Sequence, residues 1–246
     1  MKIVKWSFGT ESIEPDIKHP PCMIPLIDKD YYPFVSLAKE VKTLRRGEAF
    51  LKCPANTDFL KNTFGLVAPH DLVMEIHSTA DNQFSVRCEN LLQDQFNKLV
   101  DTRFLEGTEK GTSPHPLVGL DWLCTFTSEE PMLVQLLPAF LHHNDFTLRT
   151  VMIPGQYDIS KWVRPVELVF EFKRPNERVT IKKGDVVAYF KFYTDNVVKL
   201  IEQPVPWDDT MTCMDIRNKD RWRPLKARYE AFAKVKSSKC PYSPKD

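Results

Sequence analysis

The sequence predicts a mainly β (α+β) fold: a β-sandwich, a jelly roll or a small barrel, with a few short helices and a C-terminal helix. Residues 117–202 consist of short apolar segments, each bounded by proline, glycine, asparagine or aspartate, which is typical of all-β domains. The chain has 19 prolines and 8 glycines, which favours stiff, extended connections over long helices. Its 16 phenylalanines, 7 tyrosines and 5 tryptophans supply large side chains for a buried core.

Alternation of apolar and polar residues places the individual strands. Residues 2–8 alternate in this way, and so do residues 72–76, for which residues 83–88 are the predicted hairpin partner. Further strands are predicted over residues 120–126, 132–137, 147–153, 163–172, 179–181 and 186–193. This succession of strands makes residues 117–202 the main core of the domain.

The same alternation assigns a buried face to two of these strands. In the strand that ends at residue 172, Phe170 and Phe172 lie on one face and Glu171 on the other. In the strand of residues 186–193, the predicted buried face consists of Val186, Ala188, Phe190 and Phe192. We therefore expect these four phenylalanines to be among the buried residues.

Short helices are predicted where the alternation stops. Residues 36–44 form either one such helix or an approach to the next strand, and residues 91–103 form another helix. Residues 56–58 can cap a third, a single helical turn that covers Phe59 and Leu60 and extends toward Phe64.

The C-terminal part of the sequence has the pattern of a longer helix. Asp220 caps it, Pro224 occupies its first turn, and the pattern continues to about residue 235. An apolar stripe at helical spacing, by which the helix is expected to dock, consists of Leu225, Tyr229 and Phe232. We divide the chain accordingly into one β-rich domain, residues 1–216, and a basic C-terminal helix and tail, residues 217–246.

Positive charge is concentrated in this C-terminal part. Residues 217–239 contain nine lysines and arginines against two acidic residues, a net charge of +7, whereas the whole chain has +1. The residues predicted to bind a partner are Arg221, Arg223, Lys226, Arg228, Lys236 and Lys239. Such a surface suits an acidic protein or a second copy of the chain, with nucleic acid as one alternative and a solvated helix face packed on the acidic rest of the chain as another.

The sequence also favours a location inside a cell. Its first residues lack the apolar run of a signal peptide, and no stretch approaches the roughly 18 apolar residues that span a bilayer. The six cysteines show no two-residue spacing typical of zinc or redox motifs, so free and mostly buried thiols are expected. We expect a soluble protein of the cytoplasm, or of a virion, with no membrane contact.

One pair of residues has the spacing of a metal site. His143 and Asp145 form a His-x-Asp triplet of the kind that iron-dependent oxygenases complete with a third histidine, which here would have to come from upstream. The alternative is a polar turn between two strands. No nucleophile elbow, phosphate-binding glycine loop or dinucleotide fingerprint is present, so we expect no cofactor and favour a protein that is not an enzyme.

Residues 151–193 carry a resemblance to a known element. Gly155-Gln156-Tyr157-Asp158 precedes a phenylalanine-rich strand, and Lys183-Gly184-Asp185 leads into the next one. This arrangement resembles the β-clip of trimeric deoxyuridine triphosphatases and deoxycytidine triphosphate deaminases. The resemblance implies a β-clip-like barrel and, as an alternative function, nucleotide binding or hydrolysis with Tyr157 and Asp158 as the sugar-reading and water-activating pair.

A second resemblance covers about half of the chain. The run Lys52-Cys53-Pro54-Ala55, followed by Asp58, and the late Lys-Gly strand are similar to uncharacterised proteins of tailed bacteriophages, especially marine ones. This implies a viral origin and no particular activity. The leading hypothesis is thus a non-enzymatic phage-type β-domain that acts through protein contacts, as a virion component or a host-directed accessory protein. Nucleotide hydrolysis and an iron-dependent oxygenase are the second and third hypotheses.

Overall fold

The computed structural model describes residues 1–8, 31–43, 52–78, 84–102, 115–122, 124–174, 176–205, 207–219 and 223–238. The strands are β1 (Lys2–Phe8), β2 (Phe34–Ser36), β3 (Thr63–Val67), β4 (Leu72–Ser78), β5 (Phe84–Cys88), β6 (Val100–Asp101), β7 (Leu117–Leu120), β8 (Cys124–Thr127), β9 (Leu133–Pro138), β10 (Thr150–Met152), β11 (Gly155–Asp158), β12 (Leu168–Phe172), β13 (Arg178–Ile181), β14 (Val186–Tyr193) and β15 (Val198–Glu202). The helices are α1 (Leu37–Thr43), α2 (Pro54–Leu60), α3 (Gln93–Leu99), α4 (Asp145–Arg149), α5 (Trp207–Lys219) and α6 (Leu225–Ser238).

The strands form four sheets, which confirms the predicted mainly β (α+β) class. Their strand orders are β15-β1-β8, β10-β12-β7-β6, β11-β9-β14-β3-β2 and β13-β4-β5. All neighbouring strands are antiparallel except β1 and β15, which run parallel. Within the described residues no sheet closes on itself, so the architecture is sandwich-like rather than a barrel.

The main core lies against the five-stranded sheet, in which β14 is central. Phe126 packs its ring against Phe190 and Phe192, with ring centres 4.8 and 5.4 Å apart. Phe170 meets Phe146 at 4.6 Å between ring centres. All four phenylalanines predicted to be buried are at most 2% exposed, so that prediction is confirmed.

One residue of the predicted face of β14 lies on the opposite side. The register between β14 and β3 shifts between Val186 and Ala188, which is a β-bulge. Because of this extra residue, Val186 packs with Tyr189 on the outer face, while Val187 joins Phe190 in the main core. The prediction that Val186 shares the face of Phe190 is therefore wrong, since simple alternation fails at a bulge.

Three predicted strands are wrong in their extent. Of residues 163–172, only residues 168–172 form a strand, β12. Residues 120–126 belong to two strands, β7 and β8, in different sheets. Residues 147–153 contain only the short β10, because α4 takes up the preceding residues. The side chain of Asn144 accepts a hydrogen bond from the N–H of Thr147 at 2.9 Å, which caps that helix.

The helices are shifted relative to the predictions. The helix predicted over residues 36–44 corresponds to α1. The next helix, α2, begins at Pro54, before the expected cap, and Phe64 lies in β3 rather than in this helix. The predicted residues 91–103 contain the shorter α3 and then β6. Proline at the first helical position explains the earlier start of α2.

The C-terminal region contains two helices where one was predicted. The unpredicted α5 continues across the boundary proposed between residues 216 and 217, and α6 follows it. Asp220, the predicted cap, lies outside the described residues. Within the described part of the chain, none of the helices has the length and apolar character needed to cross a bilayer.

Candidate functional site

A groove of about 730 Å³ runs between α6, the turn after β11 and the sheet that contains β1. Its apolar surface includes Ile159, Val163 and Phe232, and its rim carries lysines and carboxylates from several elements. Two regions singled out in the sequence, the Tyr157-Asp158 pair and the basic C-terminal helix, are hydrogen-bonded to each other beside this groove. We therefore take this α6 groove as the candidate functional site.

A small apolar cluster holds α6 against the domain. Phe232 is 4% exposed, and its ring centre lies 6.3 Å from that of Trp162. Tyr229 lies 6.2 Å from the same ring, and Cys213 of α5 completes the cluster. The prediction that Leu225 belongs to the docking stripe is wrong, because its side chain is 40% exposed.

The carboxylate of Asp158 organises the turn at the wall of the groove. Its Oδ1 accepts hydrogen bonds from the Ser160 hydroxyl at 2.6 Å and from the backbone N–H groups of Ser160 at 3.0 Å and Met132 at 3.4 Å. Its Oδ2 lies 2.8 Å from Nζ of Lys161. Burial by itself raises the pKa of this carboxyl, but the hydrogen bonds from Lys161, Ser160 and Met132 bring it below its ordinary value. Asp158 is thus ionised and occupied by internal donors.

Tyr157 faces away from solvent. Its hydroxyl is buried and has no hydrogen-bond partner among the described residues. Burial raises the pKa of this phenol far above the ordinary tyrosine value, so the group stays neutral. The backbone N–H of Asp158 donates to the hydroxyl of Tyr229 at 2.9 Å, so the pair connects β11 to α6.

The charged rim of the groove is internally paired. Lys5 lies 2.8 Å from Glu129, and Lys236 lies 2.9 Å from Asp209 of α5. Nζ of Lys236 also lies 5.7 Å from the ring centre of Phe232, a cation–π distance. The rim therefore carries charges of both signs.

The basic residues predicted to bind a partner differ in their surroundings. Lys236 is paired, Arg228 is half-buried, and Arg223 and Lys226 are exposed. Lys226 makes no ion pair with the described residues. The same is true of Lys234, an exposed residue of α6 that was not among the predicted partner-binding residues. Arg221 and Lys239 lie outside the described residues. The outward surface of α6 thus carries two lysines, Lys226 and Lys234, that have no ion-pair partner within 4 Å among the described residues.

The residues of the predicted metal site have other roles. His143 is an exposed residue just before α4. Asp145 accepts hydrogen bonds from Arg149 Nε at 2.6 Å and from the N–H of Thr180 at 2.8 Å, so it joins α4 to β13. Burial raises the pKa of Asp145, but these two hydrogen bonds lower it overall. No group of three His, Cys, Asp or Glu side chains that could hold a metal occurs in the described residues.

The thiols are not placed as uniformly as expected. Cys124 and Cys213 are buried, whereas Cys53 is exposed and Cys88 is half-buried; these four cysteines are free. Burial raises the pKa of the Cys213 thiol to about 12, which makes it a poor nucleophile. Cys22 and Cys240 lie outside the described residues, so the expectation of six free thiols stays a prediction.

Sequence reasoning missed most of the groove. Lys5 and Glu129 come from a strand and a loop far apart in the chain, and Asp209 lies on the unpredicted α5. The acidic pair at Asp208 and Asp209, which begins α5, was a usable signal for a helix start. No model of a protein family matches this chain, and no curated protein sequence matches it either.

Proposed function

We propose that this chain is a non-enzymatic β-domain that acts through protein contacts, and that α6 and its groove engage an acidic partner protein. The observation that carries this proposal is the pair Lys226 and Lys234, which are exposed on α6 and have no ion-pair partner among the described residues. The resemblance to tailed-bacteriophage proteins favours a virion component or a host-directed accessory protein over a cellular enzyme.

The stability of the domain does not explain these lysines. Exposed ion pairs contribute only about 0–1 kcal/mol each, and these two side chains form none with the described residues. Clustered charge has a larger effect on association, because it speeds the encounter with an oppositely charged surface and is screened by salt.

The groove supplies the apolar contact that such a complex needs. Ile159 and Phe232 at its floor are almost fully buried, so the accessible apolar surface comes from the exposed Pro204 and Ala233 and from the half-buried Tyr229. The ion pairs of Lys5 and Lys236 border the groove. Interfaces draw most of their affinity from a few apolar anchors that are surrounded by polar contacts. A partner segment with an apolar side chain between acidic residues fits this arrangement.

The nucleotide-hydrolysis alternative lacks comparable support. It needs Tyr157 and Asp158 to face a substrate. The hydroxyl of Tyr157 is buried, and the carboxylate of Asp158 accepts hydrogen bonds from within the protein. The oxygenase alternative needs a free Asp145 carboxylate, which Arg149 and the Thr180 N–H occupy.

Reversing the two lysines tests the proposal. We expect Lys226→Glu with Lys234→Glu to leave the melting temperature within about 2 °C of the wild type and to reduce partner capture at least fivefold at low salt. Capture is measured by affinity purification from a nuclease-treated bacterial lysate at 50 and 300 mM salt, with quantitative mass spectrometry. Wild-type capture should fall at the higher salt concentration.

The matched control is Lys39→Glu with Lys42→Glu, which changes the net charge equally on exposed residues of α1. It should retain the captured proteins. Equal loss with both variants would show a nonspecific charge effect and contradict the proposal. A parallel capture from untreated lysate tests nucleic acid: if proteins captured there are absent after nuclease treatment, the basic surface binds nucleic acid instead.

A further inference from the structure

Lys191 is a charged side chain within the outer face of the five-stranded sheet. Along β14, Phe190 and Phe192 point into the main core, so Tyr189, Lys191 and Tyr193 lie on the opposite face. The cross-strand neighbours of Lys191 are Gln135 of β9 and Thr63 of β3. Although lysine is rarely buried, this one is only 8% exposed.

The ammonium of Lys191 has few polar partners. Nζ donates a hydrogen bond to the backbone carbonyl of Phe59. It lies 4.5 Å from the ring centre of Phe59 and 5.5 Å from that of Tyr193. Within the described part of the chain, no carboxylate lies within ion-pair distance of Nζ. A lysine ammonium has three donors and the Phe59 carbonyl accepts one of them, so two donors have no protein partner among the described residues.

Lys191 lines a pocket of about 600 Å³ together with Tyr193 and Thr194, and we call it the Lys191 pocket. Three other charged residues line it, Asp58, Lys61 and Asp195, and all of them are exposed. Nζ of Lys61 donates to the backbone carbonyl of Asp195 at 2.6 Å. Water screens these exposed charges more than the charge of Lys191, whose side chain is mostly covered by the protein.

Two exposed aromatic rings lie beside the ammonium, that of Tyr193 in the lining of the pocket and that of Phe59 next to Nζ. Phe59 and Tyr193 are 43% and 47% exposed, and Leu133, which pairs with Tyr193 across the strands, is 43% exposed. We propose that the Lys191 pocket binds a carboxylate attached to an aromatic or apolar group, with the carboxylate on Nζ of Lys191 and the apolar group against Phe59 and Tyr193. A carboxylate supplies both the missing counter-charge and acceptors for the unused donors.

The electrostatics agree with this assignment. Burial lowers the pKa of Lys191, which reflects the cost of holding an ammonium there without a counter-charge. A bound carboxylate offsets that cost. Binding of the ligand therefore favours the protonated amine and is expected to weaken at alkaline pH.

A pair of probes that differ only in charge tests the proposal. We expect phenylacetate to bind with a dissociation constant in the millimolar range and phenylacetamide to bind at least tenfold more weakly, by titration followed in proton–nitrogen NMR spectra. The backbone signals of Phe59, Lys191 and Tyr193 should shift with the acid. Lys191→Met should abolish the preference for the acid, whereas Lys61→Met, a change at the rim of the same pocket, should retain it.

Two sources can supply this chemistry, a free carboxylic acid or an acidic side chain of a protein segment. A capped peptide with an aspartate between two phenylalanines represents the second source. Binding of phenylacetate alone assigns the pocket to free acids, and binding of the peptide alone assigns it to an acidic segment. Equal affinity for acid and amide, a preference that survives Lys191→Met, or no binding of either probe would overturn the proposal. The test leaves α6 unchanged, so its failure says nothing against the function proposed for the α6 groove.

Discussion

Asp158 is a single carboxylate on which several contacts depend. Its side chain holds the turn after β11 through Ser160, Met132 and Lys161. Hydrogen bonds to a charged acceptor contribute about 1.5–3 kcal/mol, and removal of the acceptor leaves a buried N–H unpaired. This residue therefore stabilises the wall of the groove whether or not a partner is bound.

We expect Asp158→Ala to lower the free energy of unfolding by about 2 kcal/mol at pH 7. The native pKa lies below the ordinary value of 3.8, so the unfolded chain binds the proton more tightly. The stabilisation is thus present above about pH 4 and is lost as the pH falls through the native pKa. Urea titrations between pH 7 and pH 3 should show the two proteins converging at the acid end; a constant difference would contradict this assignment.

Lys191 gives the opposite pH dependence. Its native pKa lies below the ordinary value of 10.5 because burial disfavours the ammonium. The unfolded chain therefore holds the proton more tightly, and the wild type gains stability as the pH rises toward 10.5. At neutral pH the buried charge lowers the free energy of unfolding, and an apolar side chain at this position would remove that cost.

We expect Lys191→Met to be more stable than the wild type by about 1 kcal/mol at pH 7, with the difference shrinking toward pH 10.5. Urea unfolding of both proteins at pH 7 and pH 10 measures it. The comparison cancels the titration of the other lysines and tyrosines. A variant less stable than the wild type at pH 7 would show that the contacts with Phe59 and Tyr193 outweigh the cost of burial.

α6 has one buried side chain, that of Phe232. Its other contacts with the domain include the Tyr229 hydrogen bond and the Lys236–Asp209 pair. Lys236→Glu would thus weaken the docking of α6 itself, which is why the test of partner binding uses the exposed lysines.

We expect Phe232→Ala to release α6 from the domain. A buried phenylalanine loses about 3–5 kcal/mol on truncation, which exceeds what the remaining contacts of one helix supply. Trp162 would become exposed, so its fluorescence should shift to longer wavelength and amide exchange should accelerate in α6. Leu225→Ala, at a position 40% exposed, is the control and should change neither. Unchanged fluorescence in Phe232→Ala would show that other contacts hold the helix.

At the scale of the whole molecule, one aromatic core joins most of the sheets. It brings together residues from β1, β8, β12 and β14, whose ring contacts include Phe126 with Phe190. Unfolding of one sheet would therefore expose the others, and we expect a single cooperative transition for this core.

We expect Phe190→Ala and Phe170→Ala each to lower the free energy of unfolding by about 3–5 kcal/mol, because each leaves a cavity at a fully buried site. Phe140→Ala, at a position 43% exposed, serves as the control and should cost less than about 1 kcal/mol. Guanidinium titrations measure all three. A wild-type midpoint for Phe190→Ala would contradict the central position of β14.

The sequence by itself determined the class of the fold and much of its core. Alternation is a local property, so β1, the β4–β5 hairpin and the burial of Phe170, Phe172, Phe190 and Phe192 followed from it directly. It failed at Val186, where a bulge shifts the register by one residue, and at α4, where the Asn144 cap overrides the strand pattern.

Only the tertiary structure decided the sites. The α6 groove brings together Lys5, Glu129 and Asp209. The Lys191 pocket lies between β14 and α2, where Nζ of Lys191 donates to the Phe59 carbonyl. The residues next to them in the sequence do not predict these contacts, because each contact forms only when whole sheets and helices pack together. The sequence states which residues are charged. Whether a charged residue has an opposite charge within a few ångströms depends on which residues the fold brings next to it.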